Sequence, residues 1–540
     1  MEKRALIAVV LSLLILVVYQ EWVGRQYAPP PPSQKDEKTT ENVAAPLPKP
    51  QPALQEAKPV GRASQEKIKE IRVETDHYIA LFTNKGARLK SFTLKHYRTS
   101  VDEKSPPYEM ISSTPGVPYP LGLKLQGPDP FDDEGLLYSV QRGDLRLAGD
   151  AKGTLLFQGQ SPTKVILTKE FTFTGSSYPI QLDVSAQGSD VSAPPALLLT
   201  TDGDHNGPRK DAVFEGLLAL VDNKIKREHG EEIKKGKELS GPVSWAGFGY
   251  TYFLSAVLPE SGTQQKLAVK QIGPGLVMDI AVQAGTKDAE KSRYALFIGP
   301  KELNTLKALE KGLERSIDFG YFGFVAMPFL YVLHFSHRFT GSYGIDIILL
   351  TILIKLIMAP LTHKSFVSMK RMQKLQPQME RIKEKFKEDK EKMNKEIMEL
   401  YRRNKVNPMG GCLPMLLQFP VFIGLYNALL TPIELRHAPF MWIKDLSRPD
   451  WESLPFTLAG WPSFLPSGIP VLTILMGASM FLQQWMTPSA GDPNQKRMMM
   501  LMPLMFTFMF VSFPAGLTVY WLVNNVLSIA QQYLINRMEQ

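Results

Sequence analysis

A single lysine stands inside an otherwise apolar segment of this 540-residue chain, the run GIDIILLTILIKLIMAP from Gly344 to Pro360. A helix rises about 1.5 Å per residue, so the stretch from Tyr343 to Leu361 spans roughly the ~30 Å hydrocarbon core of a bilayer. A charge near the middle of a spanning helix costs ~2.5 to 3.5 kcal/mol and usually faces other helices or water. Lys355 therefore either extends its stem to the nearby interface or forms a positively charged site within the membrane.

Polar side chains recur in the apolar segments that follow. Tyr520 and Asn524 are one helical turn apart, as are Trp521 and Asn525, so the last apolar segment can present a polar and aromatic face. A hydrogen bond to a neighbouring helix explains each polar side chain taken singly. Together with Lys355, they favour a shared hydrated groove. The polar positions in the earlier segments are Gln418, Asn427, Gln483 and Gln484.

The chemistry that such a groove supports is narrow. One cation without a paired carboxylate makes a poor proton or sodium relay, but it lowers the cost of bringing acidic or polar groups part-way into a membrane. The chain has no P-loop, zinc-protease motif or serine elbow, so we expect no enzymatic activity, no nucleotide hydrolysis and no cofactor. The single cysteine, Cys412, excludes an intramolecular disulfide and a cysteine metal cluster. The histidines His334, His337 and His363 have no carboxylate at ligand spacing, so we expect no metal site.

Composition indicates a chain with both soluble and membrane parts. The net charge is +9, but the basic residues concentrate beside apolar segments, where membrane orientation and anionic lipid explain them better than nucleic acid does. We find no nucleic-acid motif. The start MEKR precedes an apolar run without a small-residue cleavage site, which predicts an uncleaved signal anchor over 1–23 with a cytoplasmic N-terminus. A proline-rich linker over 24–60 follows.

From about Ile71 the chain alternates between apolar and polar residues, as in IRVETDHYIALF and TKVILTKEFTFTG. This pattern predicts an all-β domain of antiparallel strands over 61–300. The acidic stretch FDDEG at 131–135 predicts a turn. Over 301–342 we expect a charged helix at 301–316 and then an amphipathic helix that lies in the membrane interface.

Basic residues outnumber acidic ones in the hairpin over 363–406, which places it in the cytoplasm. Apolar residues recur there every three or four positions, so we expect two antiparallel amphipathic helices. The hairpin is either a solvated structure or a docking surface for ribosome, nascent chain or anionic lipid. The candidate docking residues, including one near the 488–496 loop, are Lys383, Lys385, Lys387, Lys390, Lys392 and Arg497.

The apolar segments predict six membrane spans with both termini in the cytoplasm, the anchor being the first. The other spans are 343–362, 407–432, 468–487, 497–513 and 516–536, with an outer loop over 433–467 and a cytoplasmic loop over 488–496. The methionine-rich run MMMLMPLMFTFMF offers either a soft surface for varied apolar partners or ordinary packing. The apolar positions that we assign to a hydrophobic slide are Leu417, Phe422, Met505, Phe508 and Met509.

Three blocks, NKVNPMGGCLPMLLQFPVFIGLYNALL, ELRHAPFMWIKDLS and FPAGLTVYWLVNN, resemble the YidC membrane insertase family in its long Gram-negative form, a relative of the mitochondrial and chloroplast Oxa/Alb insertases. The resemblance implies an α-helical polytopic membrane protein with a five-helix core, a periplasmic β-supersandwich and a positively charged groove. It also implies a multi-pass protein of the bacterial inner membrane that inserts membrane proteins and helps them fold, alone or with the Sec translocon, without nucleotide hydrolysis.

By this resemblance, Lys355 takes the place of the family's usual groove arginine, so the charge is kept but the planar fork of donors is lost. The same comparison implies that Thr351 and Gln418 line the groove and that Tyr520 and Trp521 form an aromatic contact on the last span. The full set of groove candidates is Lys355, Thr351, Gln418, Gln484, Tyr520, Trp521 and Asn524.

Two other functions fit the same elements. A transporter of small anions would use Lys355 as its binding charge, and inverted repeats or discontinuous half-helices would support it. A periplasmic binding module merely anchored by helices would lose its function on deletion of residues 71–298, whereas an insertase would tolerate most of that deletion.

Overall fold

The computed structural model describes the chain in thirteen stretches, and the predicted anchor and proline-rich linker lie outside them. The described residues are 67–113, 115–125, 130–188, 195–201, 216–228, 236–260, 264–272, 275–283, 291–404, 406, 413–454, 468–487 and 493–538.

The predicted all-β domain is confirmed: the described residues contain twenty strands in three sheets of five, nine and six strands. The sheet orders are β4-β3-β2-β1-β8, β14-β13-β16-β17-β20-β11-β10-β9-β7 and β15-β18-β19-β12-β5-β6. The strands are β1 Glu70–Glu74, β2 Tyr78–Thr83, β3 Arg88–Arg98, β4 Pro107–Ile111, β5 Leu123–Leu125, β6 Phe131–Asp132, β7 Ser139–Val140, β8 Leu145–Arg146, β9 Lys152–Gln160, β10 Ile166–Thr174, β11 Ile180–Gln187, β12 Ala196–Thr201, β13 Gly216–Val221, β14 Lys224–Glu228, β15 Lys237–Gly241, β16 Val243–Gly249, β17 Phe253–Pro259, β18 Gln264–Ile272, β19 Gly275–Gln283 and β20 Lys291–Pro300.

A buried ionic cluster lies in the core of this domain. Lys169 falls on the buried face of β10, between Leu167 and Phe171, and its Nζ lies 2.7 Å from Asp133 Oδ2. Both side chains are fully buried. Arg88 Nη2 also donates to Asp133, and Tyr138 donates its hydroxyl proton to the same carboxylate at 2.9 Å. Burial lowers the pKa of Lys169 to about 8, against the opposing effect of the Asp133 carboxylate.

The stretch 131–135 is thus more than the surface turn that its composition predicts. It does turn, through a short 3-10 helix Asp133–Gly135, but Asp133 points inward as the acceptor of the cluster. Sequence composition could not reveal this because the cations come from β3 and β10, far along the chain.

Nine α-helices occur in the described part of the chain, all C-terminal to the β domain. The predicted helix over 301–316 is wrong: α1 ends at Ala308 and a separate 3-10 helix covers Leu313–Ser316, because Gly312 takes the left-handed conformation (φ 74°). The helices are α1 Leu303–Ala308, α2 Gly323–Thr340, α3 Tyr343–Lys374, α4 Gln376–Lys385, α5 Lys390–Arg403, α6 Leu413–Leu430, α7 Val471–Met486, α8 Pro493–Phe510 and α9 Ala515–Met538.

Among the described helices, α3 alone is both long and apolar enough to cross a membrane by length and composition. It continues through Pro360 and past the predicted boundary at 362 to Lys374, so it includes the start of the predicted hairpin. Helices α4 and α5 complete the hairpin and run antiparallel, since the Tyr401 hydroxyl near the end of α5 meets Met379 Sδ near the start of α4 at 2.8 Å. Shorter apolar helical stretches are Leu416–Leu430, Val471–Met486 and Met499–Phe510.

Helix α9 is the centre of the helical part, because it packs against α3, α6 and α7. Helices α7 and α8 approach closely at Gly477, where an added Cβ would come within 2.1 Å of Thr507 Oγ1. A larger residue at 477 would therefore push the two helices apart.

Residues in the connection between α6 and α7 form hydrogen bonds with the first residues of α7 and of α9. Asp450 accepts hydrogen bonds from Leu472 N at 2.8 Å and Thr473 Oγ1 at 2.9 Å, which caps the first turn of α7. The backbone carbonyls of Arg448 and Leu446 accept from Ala515 N and Gly516 N, at 2.7 and 2.9 Å, at the start of α9. The position of α9 thus depends on this connection.

The same connection docks on the β domain through Arg436. Its Nη2 donates to the backbone carbonyl of Arg98 at 2.6 Å. Its guanidinium lies 5.4, 6.0 and 5.7 Å from the ring centroids of Tyr108, Tyr252 and Phe253. The arginine thus gains cation–π attraction from three aromatic rings in addition to its hydrogen bond to a carbonyl.

Lys169→Met should destabilise the β domain by about 3 to 5 kcal/mol, because it removes one partner from a buried ionic cluster. The measurement is amide hydrogen exchange of β2, β9 and β10 in the full-length protein in detergent micelles. The control is Arg293→Met, which breaks the largely exposed pair with Asp183 and should cost under about 1 kcal/mol. Equal losses in the two variants would contradict the role given to the cluster.

Arg436→Ala should loosen the docking of the β domain on the α6–α7 connection. Spin labels at two exposed positions, Lys152 and Met441, in a Cys412→Ser background should then give a broader distance distribution by electron–electron double resonance.

Arg436→Lys keeps the charge but replaces the extended guanidinium with a compact ammonium, so we expect intermediate broadening. Arg448→Ala removes an exposed ion pair with Glu452 in the same connection and is the matched control. An unchanged distribution in Arg436→Ala would show that other contacts suffice to hold the domain.

Candidate functional site

Lys355 is half-buried on α3, and its ammonium group is bonded to α9. Its Nζ donates to Ser528 Oγ at 2.5 Å, and Asn524 Oδ1 lies 3.4 Å away. The lysine side chain therefore reaches a neighbouring helix, α9.

The contact belongs to a longer polar seam between the two helices. One to two turns beyond Lys355, Gln531 Nε2 donates to Thr362 Oγ1 at 2.9 Å. Lys355 and Thr362 share one face of α3, and the α9 residues recur at intervals of four and three on one face of that helix. We define the α3–α9 seam as Lys355, Thr362, Asn524, Ser528 and Gln531.

Sequence reasoning identified Lys355 and Asn524 but missed Thr362, Ser528 and Gln531. Helical spacing could have identified two of them. Ser528 lies one turn after Asn524 and Gln531 lies two turns after it, on the face that also carries Tyr520. Serine and threonine are easily passed over in apolar helices, where each can bond to the carbonyl four residues earlier, as Ser528 does to Asn524 O at 2.7 Å.

The structure also joins Gln418 to Tyr520. Gln418 Nε2 on α6 donates to the hydroxyl of Tyr520, which is buried on α9 one turn before Asn524. Four of the predicted groove residues, Lys355, Gln418, Tyr520 and Asn524, therefore meet on or beside α9.

Trp521 faces an aromatic cluster. Its ring centroid lies 5.2 Å from that of Phe422, 6.2 Å from Phe506 and 5.1 Å from Phe510. Phe513, just before α9, stacks on Phe510 at 4.9 Å. The cluster fills the space between α6, α8 and α9 at the end where α8 connects to α9, while the α3–α9 seam lies further along α9.

Among the described residues, Asn524 is the one predicted groove residue bonded to Lys355, and Thr351 and Gln484 also lie outside the Gln418–Tyr520 contact. Thr351 is buried and donates its hydroxyl proton to Ile347 O at 2.6 Å, within α3. Gln484 is half-buried near the end of α7, a helix that meets α9 through the bond from Asn525 Nδ2 to Ser479 Oγ at 2.9 Å.

The predicted slide residues form two groups. Phe422 is half-buried in the aromatic cluster. The others lie on α6 and α8 with substantial exposure: Leu417 46%, Met505 38%, Phe508 64% and Met509 40%. Further exposed apolar side chains on the same helices are Leu416, Phe419, Leu501 and Leu504.

The predicted docking residues lie at the α4–α5 turn. Lys385, Lys387, Lys390 and Lys392 are exposed, and Lys383 is half-buried. The Nζ atoms of Lys385 and Lys392 lie 5.5 and 5.4 Å from the ring centroid of Phe386. The side chain of Arg497, at the start of α8, is outside the described residues.

Two of the three histidines have carboxylate partners that sequence spacing could not show. His337 Nδ1 lies 2.8 Å from Asp346 Oδ2 on α3, and His334 Nε2 lies 3.2 Å from Glu434 Oε1 in the α6–α7 connection. These are pairs that join α2 to its neighbours, and the described residues contain no group of three or more possible metal ligands.

Known proteins match the chain along almost its whole length. A family model for the YidC periplasmic domain matches residues 70–332, and one for the 60Kd inner membrane protein matches residues 335–540. A protein of Syntrophus aciditrophicus is 40% identical over 562 residues, 99% of this chain and 100% of its own length. A protein of Syntrophobacter fumaroxidans is 41% identical over 561 residues, with 99% and 100% covered.

Both relatives are named membrane protein insertase YidC. A crystal structure of an active YidC insertase aligns with 87% of this chain and 93% of its own at 19% identity, with a TM-score of 0.37 that is too low to carry an argument. At about 40% identity over the full length, the sequences decide the matter: this chain belongs to the YidC membrane protein insertase family.

Proposed function

We propose that this protein is a membrane protein insertase and folding chaperone of the bacterial inner membrane, and that the cation of Lys355 admits the acidic or polar tails of its clients. Membership of the insertase family sets the class of activity. The observation that carries the mechanism is the half-buried ammonium of Lys355, bonded to α9 inside the apolar helix α3.

The first step is electrostatic. A client's short acidic tail enters from the cytoplasm and is drawn to Lys355, where a carboxylate gains a charge-assisted hydrogen bond in surroundings of low dielectric. Polar groups of the α3–α9 seam and of Gln418 lower the cost of desolvating the tail.

The second step is apolar. The client's hydrophobic segment moves along the exposed side chains of α6 and α8, among them Leu417, Met505, Phe508 and Met509. Transfer of that segment to lipid supplies the driving free energy, at about 25 cal/mol per Å² of apolar surface removed from water. The mechanism uses no nucleotide.

The membrane arrangement that we propose has six spans with both termini cytoplasmic and the β domain in the periplasm. Helix α2 supports it as an interfacial element, because it buries Ala326, Leu330 and Leu333 on one face and exposes Phe335 and Phe339 on another. The partners we propose beyond the clients are the Sec translocon, the ribosome and anionic lipid, with the exposed lysines of the α4–α5 turn as a docking surface.

Insertion of a client protein into liposomes that contain Lys355 variants tests the mechanism. The client is a single-span protein with an acidic outer tail, scored by protease protection. Lys355→Ala and Lys355→Glu should lower its insertion by about tenfold or more, because a hydrogen bond to a charged group is worth about 1.5 to 3 kcal/mol. Lys355→Arg should insert it normally, since the charge is retained.

The matched control is Lys364→Ala, which removes an exposed lysine two turns further along α3 and should leave insertion unchanged. Normal insertion by Lys355→Ala would contradict the role given to the positive charge. The apolar surface of α6 and α8 would then have to account for insertion.

A further inference from the structure

We infer that Ser528 and Asn524 are positioning residues for Lys355, holding its ammonium against α9 so that one N–H remains for a single carboxylate of the client. This inference rests on the proposed function and adds to it the way in which the site recognises acidic groups.

The geometry of Ser528 fixes it as an acceptor. Its side chain is 3% exposed, and it donates its own hydroxyl proton to Asn524 O at 2.7 Å. A hydroxyl has one proton to give and two lone pairs, so the Ser528 oxygen faces Lys355 Nζ only as an acceptor, at 2.5 Å.

Neither partner of Lys355 carries a charge. The buried Lys169 of the β domain shows the contrast, because its ammonium pairs with the carboxylate of Asp133 at 2.7 Å. No ion pair within the described residues includes Lys355. Its charge is held by a hydroxyl and an amide oxygen and stays uncompensated, which suits it to an incoming anion.

The number of N–H groups that Lys355 has available determines how it can bind a carboxylate. An ammonium has three N–H groups. Ser528 and Asn524 accept two of them, the second over a long 3.4 Å contact. Within the described residues one donor remains, so the site takes a carboxylate through one hydrogen bond and charge attraction, where an arginine would offer a two-pronged contact.

Ser528 and Asn524 also restrain the flexible side chain of Lys355. The four-carbon stem of lysine loses about 2 kcal/mol of rotamer entropy when its position is fixed, and a free ammonium tends to extend towards water. By accepting from Nζ, Ser528 keeps the charge on the α9 side of α3. Without that acceptor, the charge would be present but spread over many positions.

The experiment compares two clients that differ only in one tail residue, aspartate or asparagine, and measures the initial insertion rate against client concentration in liposomes. For the aspartate client, Ser528→Ala should raise the concentration needed for half-maximal rate by about five- to tenfold, with little change in the maximal rate. The asparagine client accepts a weaker hydrogen bond from the same ammonium, so its half-maximal concentration should rise by about twofold or less. Ser528→Thr should restore wild-type behaviour, and Ser528→Cys, a weaker acceptor of similar size, should be intermediate.

Two controls separate positioning from packing. Ser479→Ala removes a hydroxyl with the same pattern of bonds at the α7–α9 contact, accepting from Asn525 and donating to Met476 O, and should not distinguish the two clients. In a Lys355→Ala background, Ser528→Ala should have no further effect, since there is no ammonium left to position.

Equal losses for both clients, or additive losses in the Lys355→Ala background, would overturn the inference in favour of a packing role. Wild-type behaviour of Ser528→Ala, with Lys355→Ala defective, would overturn it and leave the proposed function intact. Normal insertion of the aspartate client by Lys355→Ala would overturn both.

Discussion

The cost of placing a cation in apolar surroundings is the constraint on which the helical part depends. Ser528 and Asn524 of α9 accept from the ammonium of Lys355 and so offset part of this cost within α3. Helix α9 in turn begins where the carbonyls of Leu446 and Arg448 receive its first amides. The position of the charge therefore depends on the α6–α7 connection, which Arg436 docks on the β domain.

The β domain and the helical part each contain a lysine in apolar surroundings, but the acceptors of the two ammonium groups differ in charge. Lys169 and Lys355 both occupy positions where the pattern of the element calls for an apolar side chain, and both find acceptors far along the chain. In the β domain the acceptor is the carboxylate of Asp133, which neutralises the charge and makes the cluster structural. In the α3–α9 seam the two acceptors are neutral and leave the charge unneutralised, and for this reason we propose Lys355 as the site for an acidic client tail.

Apolar surface and charge are separated within the helical part. The aromatic cluster around Trp521 fills one end of the space between α6, α8 and α9, while exposed leucine, methionine and phenylalanine side chains line the outer faces of α6 and α8. In the mechanism that we propose, the polar seam receives the tail of a client and the apolar surface receives its hydrophobic segment.

The all-β domain, the apolar runs and the polar residues Lys355 and Asn524 within them are visible in the sequence, because alternation, helical spacing and a charge in an apolar run are local patterns. The hydrogen-bond and ion-pair partners of these side chains follow only from the packing of distant segments. Ser528 lies 173 positions from Lys355, and the histidines find carboxylates on other elements. Asp133 belongs to a stretch whose composition predicts only a turn, and its pairing with Lys169 and Arg88 is visible only in the structure. Hydrogen bonds between distant segments form only where packing brings their atoms within about 3 Å, and no local pattern contains that information.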